Sequence, residues 1–475
     1  MWFRRLVHLR DRWQRNPVSH WCLLFVILAM TVRNFSGPNP TSRHALLMAV
    51  VEDHSLALGD YWGLTCDWSR TPDGRYFSNK APGPALLALP LFAPIDAWVV
   101  YPAKDRKARD ARRLEAREDV LLYLSMALQV IPFALLVMLS AEMLAARGVS
   151  RVAIELAALA MLFGNTASLL MNTFFGHGMA AVLALALALA LLERRIVLVG
   201  LLFALGVLSD YGSALFFPFV WALVVLPGWR GVRGVLSRSL RFFAGGLGPL
   251  VVFVAYHMLC FGGPLTLPNK FQNPVFVEAG RRALWGVIDF LPDKHVAYEL
   301  AFGLKRGLAV TQPWVFVLAA VLLLFAWSRR RWSKERLAAA RIVVPFAFGG
   351  LLVLFLMNAA FGGWHGGVSP GPRYLSAILP VLGLALGLSY DSFARPVRLL
   401  LWLAVVPALV LFLIVWAGNV NVWPGDDIWH CCWWALAKAA NVTTYVRLSW
   451  MGLAFFVTAV IAILRAWLDH PVHKF

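Results

Sequence analysis

Apolar residues in this chain come in unbroken runs of about 20, not in the alternating pattern of a half-exposed strand. The runs lie near 21–35, 84–101, 120–144, 152–171, 175–192, 196–227, 243–261, 308–327, 342–360, 375–390 and 399–417, with a last one ending near 465. At about 1.5 Å of rise per residue, a helix of about 20 residues matches the hydrocarbon core of a bilayer. Barrel strands would be about half that length and alternating. The pattern therefore predicts an all-α polytopic membrane protein with about 11–13 transmembrane helices. The run at 196–227 is too long for one straight crossing, and Ser209-Asp210-Tyr211-Gly212 is expected to break it.

Basic residues gather between the runs and predict orientation. Arg4, Arg5, Arg10, Arg12 and Arg15 precede the first run, and Arg329-Arg330-Arg331 follow the run at 308–327. Segments rich in Lys and Arg stay cytoplasmic. This gives a cytoplasmic basic N-terminus (1–20), a transmembrane core (21–380) and C-terminal helices (381–475). A first external loop at 37–83 leads to a return crossing at 84–101. The segment carrying Lys104, Arg106, Lys107, Arg109, Arg112, Arg113 and Arg117 is then expected in the cytoplasm. Further external segments are expected at 262–306, 361–373 and 418–445. Between 120 and 230 the counting fails. Arg147 and Arg151, Arg194 and Arg195, and the group at 230–241 cannot all be cytoplasmic unless one element is short, re-entrant or misread.

Composition agrees with a lipid-facing surface. Of 475 residues, 60% are hydrophobic and 15% charged, against about 25% charged in a soluble protein. The net charge of +19 fits basic cytoplasmic loops better than a nucleic-acid partner, because no single amphipathic segment carries it. Twenty-one Trp fit an interfacial belt. Cys66 could pair with Cys431 or Cys432, and free thiols fit equally well. Phosphate-loop, H-E-x-x-H and paired C-x-x-C motifs are absent, while Asn441-Val442-Thr443 matches a glycosylation acceptor. No internal repeat stands out, and the unusual polar segments share one face, which favours chemistry at the outer surface over a midplane transport site.

The first external loop offers Glu52, Asp53 and Asp67, then Lys80 before a Pro-Gly turn. A carboxylate can act as general base toward a hydroxyl, and a Lys can neutralise a leaving phosphate. These carboxylates could instead be solvated surface groups or hold a divalent metal, though no metal-ligand set is named. Arg373 follows a Gly/Pro-rich turn, where its fork suits phosphate oxygens. His365 lies near it in sequence, while Arg306 could bind phosphate or anchor a helix flank. Lys270 has only its loop placement to recommend it. His177 and Asp210 sit in apolar surroundings, where ionisable groups mark function unless they merely pair helices.

Gly74-Arg75-Tyr76-Phe77-Ser78-Asn79-Lys80-Ala81-Pro82-Gly83, followed by an apolar run, resembles the G-x-x-Y/F-x-x-K-P/A-P segment of the C-type (GT-C) membrane glycosyltransferases. That superfamily includes protein O-mannosyltransferases and the aminoarabinose transferases of lipid A. Thr41-Ser42-Arg43-His44-Ala45 resembles the helix after their first crossing. Phe175-Gly176-His177, Phe261-Gly262-Gly263-Pro264-Leu265, Arg306-Gly307-Leu308 and Trp364 through Leu375 are similar to landmarks of a bacterial branch. The resemblance is scattered over about 20–380. It implies a GT-C-like fold with a structured first external loop, a polyprenyl-phosphate-linked sugar donor and inverting transfer to a glycan, lipid or protein acceptor. The active site would face outward from a bacterial inner membrane, in the periplasm. In that superfamily the base is an acidic residue just after the first crossing. Here Pro40 and Thr41 stand where an Asp-Glu pair would be expected. Asp67 is then the first candidate base, with Glu52 and Asp53 next, and Lys80 the candidate phosphate contact. A flippase of a lipid-linked sugar and a non-catalytic scaffold are the alternatives.

Overall fold

Start and stop signals in the sequence set the helix ends. The computed structural model describes residues 16–31, 37–229, 231–276, 288–325, 332–367, 369–418, 427–437 and most of 450–460. It is 76% helical and almost without strand. The basic residues up to Arg15, Arg329-Arg330-Arg331, the Asn441 acceptor and parts of the 262–306 and 418–445 segments lie outside the described residues. Helix α1 (Ser19–Thr31) precedes α2 (Pro38–Asp53), whose first turn carries Pro, a residue without the N–H that a first turn leaves unpaired. A hairpin follows, β1 (Trp68–Arg70) and β2 (Tyr76–Ser78), turning at Gly74 with φ +85°. Next come α3 (Gly83–Val100), α4 (Arg106–Glu115) and α5 (Arg117–Ala145). Asp105 caps α4 by accepting the Ala108 N–H at 2.8 Å.

The remaining long elements are α6 (Arg151–Leu162), α7 (Gly176–Leu192), α8 (Ile196–Ser209), α9 (Phe217–Val225), α10 (Val232–Phe261), α11 (Lys294–Phe302), α12 (Pro313–Phe325), α13 (Lys334–Ala360), α14 (Leu379–Tyr390) and α15 (Arg395–Gly418). Five described helices are long and apolar enough to cross a membrane: α3, α5, α10, α13 and Arg395–Ala417 within α15. This is an all-α membrane protein. The break expected in the 196–227 run is present. Helix α8 stops at Ser209, and a 3-10 turn over Tyr211–Phe216 begins under the Asp210 side chain.

Small residues let α8 and α10 touch backbone to backbone. A Cβ on Gly200 would stand 1.9 Å from the Phe242 carbonyl oxygen, and one on Gly245 would stand 1.9 Å from that of Val197. Close approach of this kind is how helices gain contact where lipid removes the hydrophobic driving force. Elsewhere the core is aromatic, with Phe25 against Phe133, Phe163 and Trp416 at centroid distances of 5.8 Å.

Contacts sort the helix ends into two sets. At one end Asn16 Nδ2 donates to the Met138 carbonyl (3.0 Å), Arg147 pairs with Glu193 (3.8 Å), the Ser150 N–H donates to Asp391 (2.7 Å) and Arg336 pairs with Asp391 (3.4 Å). Trp221 donates to Ser239 at the same end (3.1 Å). At the other, Asn172 donates to the Ala29 carbonyl (3.2 Å), Trp314 to that of Gly164 (2.7 Å) and Gln129 to that of Phe175 (3.2 Å). The first set holds Arg147, Arg151, Arg194, Arg195, Arg233, Arg238 and Arg241, so it is the basic end.

One expectation is corrected. The segment 104–117 does not lie across the bundle from the first polar loop, because it is ion-paired to that loop. Arg113 joins Glu52 (2.9 Å) and Asp96 (2.8 Å), and Arg109 also pairs with Glu52. Arg106 reaches Asp53 and Asp60, each at 3.1 Å. Helix α3 runs beside α2 in the same direction, with Phe92 against His44. The Arg43 side chain of α2 and the start of α3 at Gly83 both lie near Ser209, and Glu52 and Asp96 toward the far ends of the two helices both meet Arg113. The long α5 then carries the chain to the basic end. This single change brings Arg147, Arg151, Arg194, Arg195 and, from the last group, Arg233, Arg238 and Arg241 to one end, which resolves the count for the described residues. It also explains how so basic a segment sits with the first loop: carboxylates neutralise it there.

Candidate functional site

The hairpin builds the first part of the site. Its register pairs Trp68 with Ser78 and Arg70 with Tyr76, so Asp67 and Lys80 emerge together just beyond its open end. Lys80 Nζ lies 3.0 Å from Asp67 Oδ1. Ser42 on α2 donates to the Asp67 carbonyl (2.6 Å) and meets the Ser78 hydroxyl (2.7 Å), which fastens the hairpin to α2. The 262–306 segment closes the outer edge, with the Asn273 N–H on the Trp68 carbonyl (3.0 Å) and Ser69 donating to that of Pro268 (2.8 Å).

The second part comes from the break between α8 and α9. Asp210 ends α8 with its Oδ1 accepting the Gly212 N–H (3.1 Å), while its Oδ2 lies 2.6 Å from Nδ1 of His177, in the first turn of α7. A π turn at Met126–Val130 in α5 sets Gln129 against the Phe175 carbonyl, fixing the start of α7. Single π turns recur at functional sites. Gly178 leaves Gln129 its place, since a Cβ there would stand 2.3 Å from the Gln129 amide oxygen.

Arg43 on α2 links the two parts. It is buried, and its Nη1 donates to Asn39, to the backbone carbonyl at 3.3 Å and to the side-chain oxygen. Among the described residues its Nε has no hydrogen-bond partner. The carboxylates of Asp210 and Asp67 lie near enough to act on its guanidinium, which as an Arg remains a cation at neutral pH. Gly176 makes the room: a Cβ there would stand 2.5 Å from Arg43 Nη2.

Arg373 approaches from the segment before α14. Its guanidinium lies over Phe175 (5.5 Å) and Tyr374 (5.2 Å), a cation held by ring faces. Gly366, at φ +69°, lies against its side chain. Among the described residues its buried Nε has no hydrogen-bond partner and no carboxylate pairs with this Arg. Arg43, Arg373 and Lys80 thus outnumber Asp67 and Asp210, leaving the site net positive and suited to an anion.

The other residues singled out in the sequence are occupied elsewhere. Glu52 and Asp53 belong to the ion pairs with α4, and Arg109 followed by Arg113 holds the Glu52 carboxyl down to about 2. Arg306 is fully buried and donates to the carbonyls of His365 and Gly367, so it holds the 361–373 segment in place. His365 Nδ1 accepts the Gly367 N–H (2.9 Å). Lys270 lies over the Phe271 ring on the docked outer segment. Among the described residues no three His, Cys, Asp or Glu side chains gather as metal ligands, and Cys22, Cys66, Cys260 and Cys432 are free thiols. Arg43, Gln129 and Tyr374 escaped the sequence reading as site residues. For Arg43 a signal existed, a charge in a helix start that is otherwise uncharged. Neither comparison with models of protein families nor comparison with characterised proteins finds a match for this chain.

Proposed function

We propose that this chain is a C-type (GT-C-like) membrane glycosyltransferase of about 11–13 transmembrane helices, transferring a sugar from a polyprenyl phosphate to a glycan, lipid or protein acceptor. The observation that carries the reading is the pair Arg43 and Arg373. Among the described residues both guanidinium groups lack a carboxylate ion-pair partner, and each has a buried Nε without a hydrogen bond. Buried cations persist where a counter-ion completes them, and a phosphate supplies two oxygens to each fork. Lys80 adds a third cation next to Asp67. The leaving phosphate develops charge where these groups stand, and the two acid–base pairs, Asp67–Lys80 and His177–Asp210, flank it.

With the basic end in the cytoplasm, this site faces the outer side of a bacterial inner membrane, where lipid-linked sugars present their head groups. The test is sugar release from a radiolabelled polyprenyl-phosphate sugar by purified protein in detergent, with water as acceptor. Wild type should turn the donor over, and Lys80→Ala and Arg373→Ala should abolish it. A flippase of the same lipid is the second reading, favoured by Pro40 and Thr41 at the position of the superfamily's acidic pair. Tight donor binding and flipping without sugar release would establish it in place of the transferase.

A further inference from the structure

We propose that His177, oriented by Asp210, is the proton acceptor of the reaction, in place of a carboxylate on the first loop. This rests on the transferase reading above. An ionised carboxylate can only accept hydrogen bonds, so the 2.6 Å contact places the hydrogen on His177 Nδ1 and the lone pair on Nε2. Among the described residues Nε2 has no hydrogen-bond partner, and it is not fully sealed from solvent. Its lone pair is thus uncommitted. Asp210 is itself fixed by the Gly212 N–H, and the His177 ring is set edge-on against Tyr374 at 5.2 Å. Base, orienting carboxylate and packing partner come from three different elements, so the imidazole has little freedom to turn.

Asp67 is less suited to the task. Its carboxylate is already engaged by Lys80 at 3.0 Å, so it is not left open toward an acceptor hydroxyl as a base must be. Its geometry is that of a group positioning Lys80. The charged groups facing His177 are Asp210 from the end of α8, Arg43 from α2 and Arg373 from the segment before α14. The two Arg groups lie where the phosphate charge would be met.

The step balances without another reactant. The acceptor oxygen forms a bond to the anomeric carbon as its proton passes to His177 Nε2. The bond from that carbon to the phosphate oxygen breaks, and its electron pair leaves on the polyprenyl phosphate beside Arg43 and Arg373. Asp210 then faces an imidazolium, which it stabilises.

The experiment measures sugar release from the radiolabelled donor across pH, with donor binding measured in parallel, for wild type, His177→Ala, His177→Gln and Asp210→Asn. General-base catalysis contributes about 100-fold or more, so the His177 variants should lose that much turnover while donor affinity stays within about 3-fold. The acid limb of the pH–rate profile should vanish in them, and added imidazole should restore turnover to His177→Ala. Asp210→Asn keeps an acceptor for Gly212 and removes the charge, and should slow turnover on the order of 10-fold or more. Full turnover or an unchanged acid limb in both His177 variants overturns this assignment and leaves the transferase standing. A wild type that binds donor and releases no sugar overturns both.

Discussion

Arg113 and Asp96 form a two-point ion pair, Nε to Oδ1 and Nη2 to Oδ2, each at 2.8 Å. Their side chains are only 3% and 4% exposed. The same guanidinium reaches Glu52 and Asp110, so one residue ties α3, α2 and its own helix together.

Removing Arg113 leaves Asp96 buried and uncompensated. Breaking a buried pair from one side costs about 3–5 kcal/mol. Arg113→Ala should therefore lower thermal stability in detergent sharply. Arg106→Ala, at the more exposed edge of the same network, should change it far less, because solvent screens its ion pairs. Equal effects from the two would show that the network does not centre on Arg113.

Glu52 gives the network a pH signature. The Arg109 and Arg113 guanidinium groups hold its carboxyl at about 2, down from an ordinary 4.5. A group held below its unfolded value stabilises the fold fully above that unfolded value, and the contribution disappears as pH falls through the folded one. Stability should thus drop between about pH 4.5 and pH 2. Thermal unfolding of wild type and Glu52→Gln should converge across that window, the variant being weaker at neutral pH and flatter in acid.

Gly176 keeps Arg43 in place. A methyl group there would meet Arg43 Nη2 at 2.5 Å and the Ser209 carbonyl at 2.7 Å, and the carbonyl cannot move without moving α8. Overpacking costs about 1–3 kcal/mol, so, if the proposed donor binds at Arg43, Gly176→Ala should weaken that binding by about 10-fold. Gly63→Ala, whose added Cβ meets nothing within 4 Å, should bind donor as wild type does.

The corrected topology is open to direct chemistry. Cys66 is exposed on the first loop, Lys107 is exposed on α4 and Arg195 is exposed at the basic end. In intact spheroplasts an impermeant maleimide should label Cys66 and, in a Cys66→Ser background, Lys107→Cys. Arg195→Cys should react only after permeabilisation. Labelling of Lys107→Cys only after permeabilisation would restore a crossing at 84–101.

Hydropathy carried the reading of this chain a long way and failed at one place for a physical reason. It found the helices, and the charge of Asp210 amid apolar residues marked the break after α8. The spacing of Asp67 and Lys80 around a Gly turn put both in one loop, and the hairpin brings them to 3.0 Å. What hydropathy cannot register is partnership. Residues 84–101 score as a crossing on their own composition, yet the carboxylates of Glu52, Asp53 and Asp96 hold the basic residues that follow on the same side. The link from Arg43 to Asp210 was hidden likewise, since it joins residues far apart in sequence through packing at Gly176.

Helix length also sets depth. Helices α6 and α14 have 12 residues each, so each rises about 18 Å between the basic end and the site end, well short of a hydrocarbon core of about 30 Å. A bilayer aligned with the basic end therefore extends about 10 Å past the level where these helices stop. Arg43, His177 and Asp210 cluster at that level, below the headgroups of the far leaflet. A substrate with a lipid tail meets such a place by moving sideways within its own leaflet, whereas a water-soluble one has to descend to it.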